Sequence, residues 1–205
     1  MDVEKLGQEE ALMSGPEDRR TRIADAVVTV LGERGSRGLT HRAVDEEAEL
    51  PPGSTSYYLR SRADLLAAAV PRLAQLDLEL LESAGTPLET LTRVLDDALH
   101  GPGRLRTLAR YELVLESARR PELRAALAVG TERLLDTLLD LFPTTPLAQA
   151  RVRARDLLAF VDGLLLANVT GPEAQRRSTE DLVATLARHL EASPDELGRG
   201  ERRRP

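Results

Sequence analysis

The stretch that decides the fold is residues 40–58, THRAVDEEAELPPGSTSYY. Thr40 is a favoured residue for capping a helix N-terminus, and apolar residues follow it at helical spacing. Three of them form the predicted inward face of a short helix: Ala43, Val44 and Ala48. Four charged residues of the same segment are expected to face solvent: Arg42, Asp45, Glu46 and Glu49. Pro51 and Pro52 fit only the start of a helix, so another helix is predicted over about residues 52–59.

A longer amphipathic helix precedes this stretch. From Arg20 onward apolar residues recur every three or four positions, and Gly35 and Gly38 supply the conformational freedom that ends a helix. Three helices with a tight turn between the second and third indicate a helix-turn-helix unit over residues 19–62. Residues 1–18 are acidic and show no sustained periodicity, which predicts a disordered arm.

The rest of the chain also has a helical pattern. Apolar periods continue over residues 65–190, broken by glycine and proline clusters, and no useful length alternates with the period of two that strands require. Aromatic residues make up 2% of the chain and Trp is absent, so the core has to be built from Leu, Ala and Val. The prediction is an all-α protein of about nine helices, with a second helical domain over residues 63–197 and a mobile charged tail over 198–205.

The charge distribution decides whether nucleic acid is a reasonable partner. A formal net charge of −6 taken alone disfavours it, because phosphate neutralisation supplies most non-specific affinity. Residues 19–62, however, hold eight arginines against six acidic residues and form a net-positive stretch. The absence of cysteine excludes a disulfide framework and a cysteine zinc site. Without a signal-peptide pattern or a membrane-length apolar run, a soluble cytoplasmic protein with no membrane contact is expected.

The predicted third helix is unusually rich in hydroxyl groups. They belong to Ser54, Thr55, Ser56, Tyr57 and Tyr58. Hydroxyls suit contacts with phosphates and base edges, and these residues are poor helix formers that a purely structural helix has little reason to use. The pattern therefore favours DNA binding. It leaves open whether one ring, that of Tyr57 or Tyr58, packs against the first helix as part of the core.

Several segments of this region resemble the TetR family of bacterial repressors. They are residues 21–26 (TRIADA), 33–35 (ERG), 40–44 (THRAV) and 48–62 (AELPPGSTSYYLRSR), followed by 64–66 (DLL). The resemblance is specific over residues 20–70 and architectural beyond them. It implies a helical domain that binds a small-molecule effector, and a homodimer formed by two C-terminal helices of each subunit. It also implies that effector binding releases a double-stranded DNA operator.

The same resemblance implies a role in DNA binding for nine residues. Thr40 and Arg42 at the start of the second helix would hold phosphates, and Tyr58 and Arg62 would add phosphate contacts. Five residues would face the major groove: Pro52, Gly53, Ser54, Ser56 and Tyr57.

Three positions in this region carry further expectations. Thr55 stands where the family has an inward-pointing residue and is assigned to packing. Glu49 occupies a turn position usual for glycine, so a left-handed backbone there would cost roughly 1 kcal/mol. Arg62 has an alternative as an ordinary solvated residue at the start of a helix.

In the second domain, polar groups on apolar helix faces are the candidate effector contacts. Asp162 shares a face with leucines, and a buried carboxylate needs a partner, which is either a ligand or an ordinary arginine or helix N-terminus. Tyr111 shares a face with Leu115, where its hydroxyl either meets a ligand or lies in the core. The full candidate set is His100, Tyr111, Glu112, Leu115, Asp162 and Leu166.

The segment 147–169 is apolar on two sides. This suggests that one side meets the protein's own core and the other meets a second subunit. The last helix, around residues 182–190, would complete that interface, and a fully internal helix is the alternative. The predicted contacts with the second subunit are Leu157, Phe160, Val161, Leu164, Leu182 and Leu186.

Two other classes of function compete with this reading. For an enzyme, the three histidines have no metal-binding spacing, and there is no nucleophile-elbow, phosphate-loop or dinucleotide motif. We therefore expect no catalysis, no metal and no cofactor. A helical interaction or scaffold protein that does not bind DNA stays open, because the chain is acidic overall and Pro52 cannot donate a hydrogen bond.

Overall fold

The computed structural model describes residues 15–81, 86–142 and 144–191. Over these ranges the chain forms nine α-helices and two short 3₁₀ turns, Leu139–Leu141 and Glu173–Gln175, and no strand, so the all-α prediction is confirmed. The helices are α1 Pro16–Gly38, α2 His41–Glu47, α3 Ser54–Tyr58, α4 Arg62–Leu81, α5 Pro87–Leu99, α6 Gly101–Ser117, α7 Pro121–Leu138, α8 Leu147–Thr170 and α9 Thr179–Glu191. No helix in these ranges is long and apolar enough to cross a membrane.

Helix α1 begins earlier than the sequence pattern predicts. Pro16 is its first residue, and two acidic residues follow in the first turn, where they offset the positive end of the helix dipole. The prediction of a disordered arm over residues 1–18 is therefore wrong for its last three residues. Residues 1–14 and the predicted mobile tail at 198–205 lie outside the described residues.

The C-terminal end of α1 is shaped by the two glycines that the sequence singled out. At Gly35, φ is 64° and ψ is −179°, a conformation open essentially to glycine alone, and the helix bends there. A short further segment carries the chain to Gly38. A side-chain carbon at Gly35 would lie 3.2 Å from the Glu112 carboxylate, so the bend lies directly against α6.

Two hydrophobic clusters hold the helices together. The most deeply buried large side chains of the first, which joins α1, α2, α4 and α6, are Ile23, Val27, Val30, Leu31, Val44, Leu65, Leu66 and Leu113. The second joins α5, α7, α8 and α9 through Leu95, Leu135, Leu157, Leu182 and Leu186. Because α4 and α6 contribute to the first cluster, the packing of the helix-turn-helix unit crosses the domain boundary predicted at residue 62.

Candidate nucleic-acid interface and effector region

Helix α2 is capped as the sequence predicts. The Thr40 hydroxyl accepts a hydrogen bond from the Ala43 amide at 3.1 Å, and the three predicted inward residues are buried. Arg42 lies on the opposite side with 88% of its side chain exposed, and its Nε is 2.8 Å from the Glu46 carboxylate. The start of α2 therefore presents a guanidinium to solvent, where a phosphate has access to it.

The turn between α2 and α3 is tight and strained at one residue. Glu49 has a φ of 52°, the left-handed conformation considered for it, which costs roughly 1 kcal/mol. The Leu50 amide donates to the Asp45 carbonyl at 2.9 Å. The Arg22 guanidinium donates to the Ala48 carbonyl at 2.7 Å. The turn is thus tied both to α2 and to α1.

Asp45 corrects the prediction that all four charged residues of this segment face solvent. It is only 4% exposed. Its Oδ2 accepts a hydrogen bond from the Gly53 amide and its Oδ1 accepts one from the Thr55 amide, both at 2.7 Å. These two bonds replace the water that the carboxylate loses on burial, which is the condition for an acidic side chain inside a core.

Helix α3 starts later than the sequence pattern predicts. It runs over Ser54–Tyr58, whereas the prediction placed its start at Pro52. Pro52 instead lies in a turn that is closed by the Ser54 amide donating to the Pro51 carbonyl at 3.1 Å. Gly53 follows with a φ of 90° and is the N-cap residue. The left-handed glycine turns the chain into the helix, so the proline stands before the cap.

The outer side of α3 carries the predicted reading residues. Tyr57 is 79% exposed. The other four residues of that set are exposed or half-buried: Pro52, Gly53, Ser54 and Ser56. Thr55 is fully buried, so its assignment to packing is confirmed. The short helix therefore has one side fixed in the protein and one side open to a partner.

Of the two tyrosines, Tyr58 is the one whose ring packs against the core. Its ring meets that of Tyr57 edge to face, with centroids 5.1 Å apart. The Arg20 guanidinium lies 5.8 Å from the centroid of the Tyr58 ring. Arg20 of α1 thus brings a positive charge to the edge of α3, a contact that sequence reasoning missed.

Arg62 is half-buried, and its guanidinium is held by the end of α1. Its guanidinium donates to the Leu39 carbonyl at 2.9 Å. It also donates to the carbonyl and the hydroxyl of Ser36, both at 2.5 Å. Arg62 thus closes the C-terminal end of α1, where carbonyls lack helical partners, and its predicted phosphate contact stays a prediction.

The same end of α1 is tied to α6 by two glutamates. The Ser36 amide donates to Glu112 Oε2 at 2.9 Å, and the Ser36 hydroxyl donates to Glu116 Oε1 at 2.6 Å. Hydrogen bonds from Ser36 and Arg120 hold the pKa of Glu116 below its ordinary value. Glu112 thus lies against the bend of α1 and accepts a bond there, and its role as an effector contact stays a prediction.

Tyr111 on α6 meets the backbone of Asp162 on α8; Tyr111 is half-buried, whereas Asp162 is an exposed residue and not the buried one that the sequence suggested. The Tyr111 hydroxyl donates to the backbone carbonyl of Asp162 at 3.1 Å. Burial raises the pKa of Asp162, with the charge of Arg110 opposing it, and burial reinforced by Asp162 raises the pKa of Tyr111. Arg110 is held by Asp77 through two bonds of 2.7 and 2.8 Å. Among the described residues, the Asp162 carboxylate accepts no hydrogen bond.

The remaining effector candidates divide into two groups. Leu115 lies one turn after Tyr111 and Leu166 one turn after Asp162, and both leucines are exposed. His100 lies at the junction of α5 and α6, where its ring is 2.8 Å from the Asp96 carbonyl. The rise of an α-helix places it about 16 Å along α6 from Tyr111, so His100 does not belong to this group.

The face of helix α8 that was predicted at a subunit interface lies partly in the chain's own core, and another face is exposed. The six predicted residues pack in or against the second cluster of the chain itself: Leu157, Phe160, Val161, Leu164, Leu182 and Leu186. Leu157, Leu182 and Leu186 are buried in the chain's own core, which corrects their assignment to the interface. Phe160, Val161 and Leu164 are only half-buried in the single chain, so their place at an interface stays a prediction. Phe160 also stacks on His189 with ring centroids 4.3 Å apart. The outward face carries Val152, Arg155, Asp156, Ala159 and Gly163, all of them exposed. A side-chain carbon at Gly163 would meet nothing within 4 Å.

Comparison with known proteins decides the family. Residues 82–191 match the family described as Tetracyclin repressor-like, C-terminal domain. The chain belongs to the TetR family of transcriptional regulators. The HTH-type transcriptional repressor KstR of Rhodococcus jostii is 27% identical, with 97% of this chain and 92% of KstR covered.

Solved structures of TetR-type regulators agree with that assignment. A member of the TetR family from Streptomyces coelicolor is 31% identical, with 83% of this chain and 96% of the other covered and a TM-score of 0.63. The multidrug binding protein EbrR complexed with proflavin is 32% identical, with 83% and 98% covered and a TM-score of 0.56.

In this TetR-family regulator, three residues make contacts between helices that the sequence pattern did not predict. Arg20 and Asp45 contact α3, and Ser36 joins α1 to α6. The contact partner of each residue lies in another segment of the chain. The spacing of apolar residues along its own helix therefore does not predict the contact. For Arg20, the cluster of arginines at the start of α1 indicates a positively charged surface but does not predict the contact with Tyr58.

Proposed function

We propose that the protein is a ligand-responsive repressor that binds a palindromic operator as a homodimer and leaves it when a small-molecule effector binds. The observation that carries this proposal is α3, whose buried side fixes the helix while Ser56 and Tyr57 are exposed on the other side. A two-fold dimer would present α3 twice, to half-sites about 34–36 Å apart or a small multiple of that distance. It would act in the cytoplasm and would have no catalytic activity.

The DNA contacts divide into two kinds. Thr40 and Arg42 at the start of α2 would hold phosphates, as would the Tyr58 hydroxyl and Arg20 beside α3. Five residues would face base edges: Pro52, Gly53, Ser54, Ser56 and Tyr57. The proline and the glycine have no side-chain donor and supply contact surface. Hydrogen-bond donation to bases therefore falls to the hydroxyls of Ser56 and Tyr57. The Ser54 hydroxyl already donates to the Pro51 carbonyl at 2.6 Å and is left to accept a bond.

The partner on the outward face of α8 would be a second copy of this chain. Val152 is exposed there, and Ala159 and Gly163 are small enough for another helix to approach closely. Arg155 and Asp156 are exposed on the same face, so the interface would combine close contact between helices with charged groups. A closed two-fold dimer is the commonest way to cover such a face. This interface would lie on a different face of α8 from the one that the apolar pattern of the sequence predicts.

The effector would bind between α6 and α8. Tyr111 and Leu115 border this region from α6, and Asp162 and Leu166 border it from α8. The carboxylate of Asp162 supplies a polar contact and the two leucines supply apolar ones. The binding of proflavin by EbrR supports a small-molecule effector for this chain as well.

Helix α6 would carry the signal from the effector to the DNA-binding half. Glu112 and Glu116 hold Ser36 at the bend of α1, and they stand directly after Tyr111 and Leu115 in the chain. A shift of α6 caused by the effector would therefore move the end of α1. Because α2 and α3 are attached to α1, their position would change with it.

The test is capture of genomic fragments by the purified protein, followed by a retardation assay against competitor DNA at a stated salt concentration. We expect one palindromic sequence to be enriched. Tyr57→Ala should then weaken the operator complex by about 1–3 kcal/mol and random DNA less, with Tyr57→Phe as the matched control that keeps the ring. Absence of any enriched sequence would instead favour the scaffold alternative.

A further inference from the structure

Asp45 is the point at which the turn and α3 are attached to α2. Three backbone amides donate hydrogen bonds to this one residue. Leu50 donates to its carbonyl at 2.9 Å, and Gly53 and Thr55 donate to its carboxylate, both at 2.7 Å. The N-cap residue of α3 is Gly53, which has no side chain to offer, so the cap comes from a residue of α2.

Helix α3 depends on these attachments because it is too short to persist alone. It has five residues, far below the length at which an isolated helix is stable. Its far end is also held by α2, where the His41 Nε2 donates to the Leu59 carbonyl at 2.7 Å. Two side chains of α2 therefore set the orientation of α3.

The same bonds decide what α3 offers to DNA. The amides of Gly53 and Thr55 are taken by Asp45, and the Ser54 amide is taken by the Pro51 carbonyl. The first backbone donors of α3 are thus not available to a phosphate. Reading depends on side chains, and a side-chain hydrogen bond to a base edge weakens steeply when its donor and acceptor are misaligned.

We propose that Asp45 is a specificity-determining positioning residue, which sets how well the operator is discriminated from other DNA without touching DNA itself. This role rests on the proposed operator binding. At 4% exposure the carboxylate is out of reach of phosphates, so its removal leaves the number of phosphate contacts unchanged. The orientation of α3, and with it the fit to base edges, is what changes.

The test compares Asp45→Ala and Asp45→Asn with Glu47→Gln, which removes the same charge from the exposed side of α2. Each protein is titrated with the captured operator and with a scrambled duplex over a series of salt concentrations. For Asp45→Ala we expect the ratio of the two dissociation constants to fall by about tenfold or more, with the salt slope on scrambled DNA unchanged. Asp45→Asn keeps one acceptor oxygen and should lose less, and Glu47→Gln should keep the ratio.

Amide hydrogen exchange at Gly53 and Thr55 provides a second readout, which should quicken in both Asp45 variants. A folded Asp45→Ala protein with the wild-type ratio overturns the proposal. If that variant does not fold, Asp45→Asn decides, and an unchanged ratio overturns it. A changed salt slope on scrambled DNA overturns it too, because phosphate contacts would then be involved. Failure of the wild-type protein to discriminate at all would sink the proposed function itself.

Discussion

Replacement of Arg62 by alanine separates a structural role from a DNA contact. The Arg62 side chain is 37% exposed and makes three hydrogen bonds, to the carbonyl of Leu39 and to the carbonyl and hydroxyl of Ser36. A hydrogen bond from a charged donor contributes about 1.5–3 kcal/mol when buried. Because water partly reaches this site, we expect a combined loss of about 2–3 kcal/mol for Arg62→Ala.

That loss is measurable as a change in unfolding temperature. For a chain of this size, 1 kcal/mol lowers the midpoint by about 2–4 °C, so Arg62→Ala should unfold about 4–12 °C below the wild type. The salt slope of DNA binding should stay the same, because no phosphate contact is removed. Arg62→Lys keeps the charge and loses the planar fork, so it should be destabilised nearly as much.

Arg42→Ala is the matched comparison, since Arg42 is 88% exposed and carries the same charge. It should leave the unfolding temperature nearly unchanged and reduce the salt slope by about 0.9, the value for one phosphate contact. The reasoning fails if Arg62→Ala reduces the salt slope by that amount and unfolds at the wild-type temperature. Its guanidinium would then face DNA and not the end of α1.

Two further predictions concern the regulatory half. Gly163→Arg places a charge where the single chain has no neighbour, so the protein should fold normally but become monomeric by light scattering. The control, Val129→Arg on the exposed side of α7, should stay dimeric. A dimeric Gly163→Arg protein would contradict the proposed interface. Because burial raises the pKa of Asp162, its ionised form destabilises the fold at pH values above the ordinary aspartate range, so at neutral pH Asp162→Asn should unfold at the same or a slightly higher temperature. The same variant should change effector-induced release of the operator, with proflavin as the first probe, and release like that of the wild type would remove Asp162 from the site.

Local chemistry explains what the sequence predicted correctly. Thr40 as a cap, Thr55 as an inward residue and the left-handed Glu49 all depend on neighbours within a few positions. Such features follow from backbone geometry and from the family resemblance. The same holds for the all-α class, because glycine and proline separate each apolar period from the next.

The errors and the unpredicted contacts share a different cause, which is dependence on distant partners. Asp45 has the residue type of a solvated position, and only the amides of the α3 segment, eight and ten residues later, explain its burial. Arg62 finds its acceptors on α1. Helix α8 is apolar on two sides, so the pattern alone does not say which side the chain's own core takes. Leu157 lies on the core side and Gly163 on the open side.

The arrangement of α6 also bears on how such regulators diversify. Tyr111 contacts α8 and Leu115 follows it one turn later, while Glu112 and Glu116 contact the end of α1. Adjacent positions on a helix are about 100° apart, so a substitution on one side leaves the other side in place. Under the proposed effector site, one copy of a duplicated gene can replace Tyr111 and Leu115 and respond to a different effector, while it keeps Glu112 and Glu116. The contact between α6 and the end of α1 would then be kept whenever the effector changes.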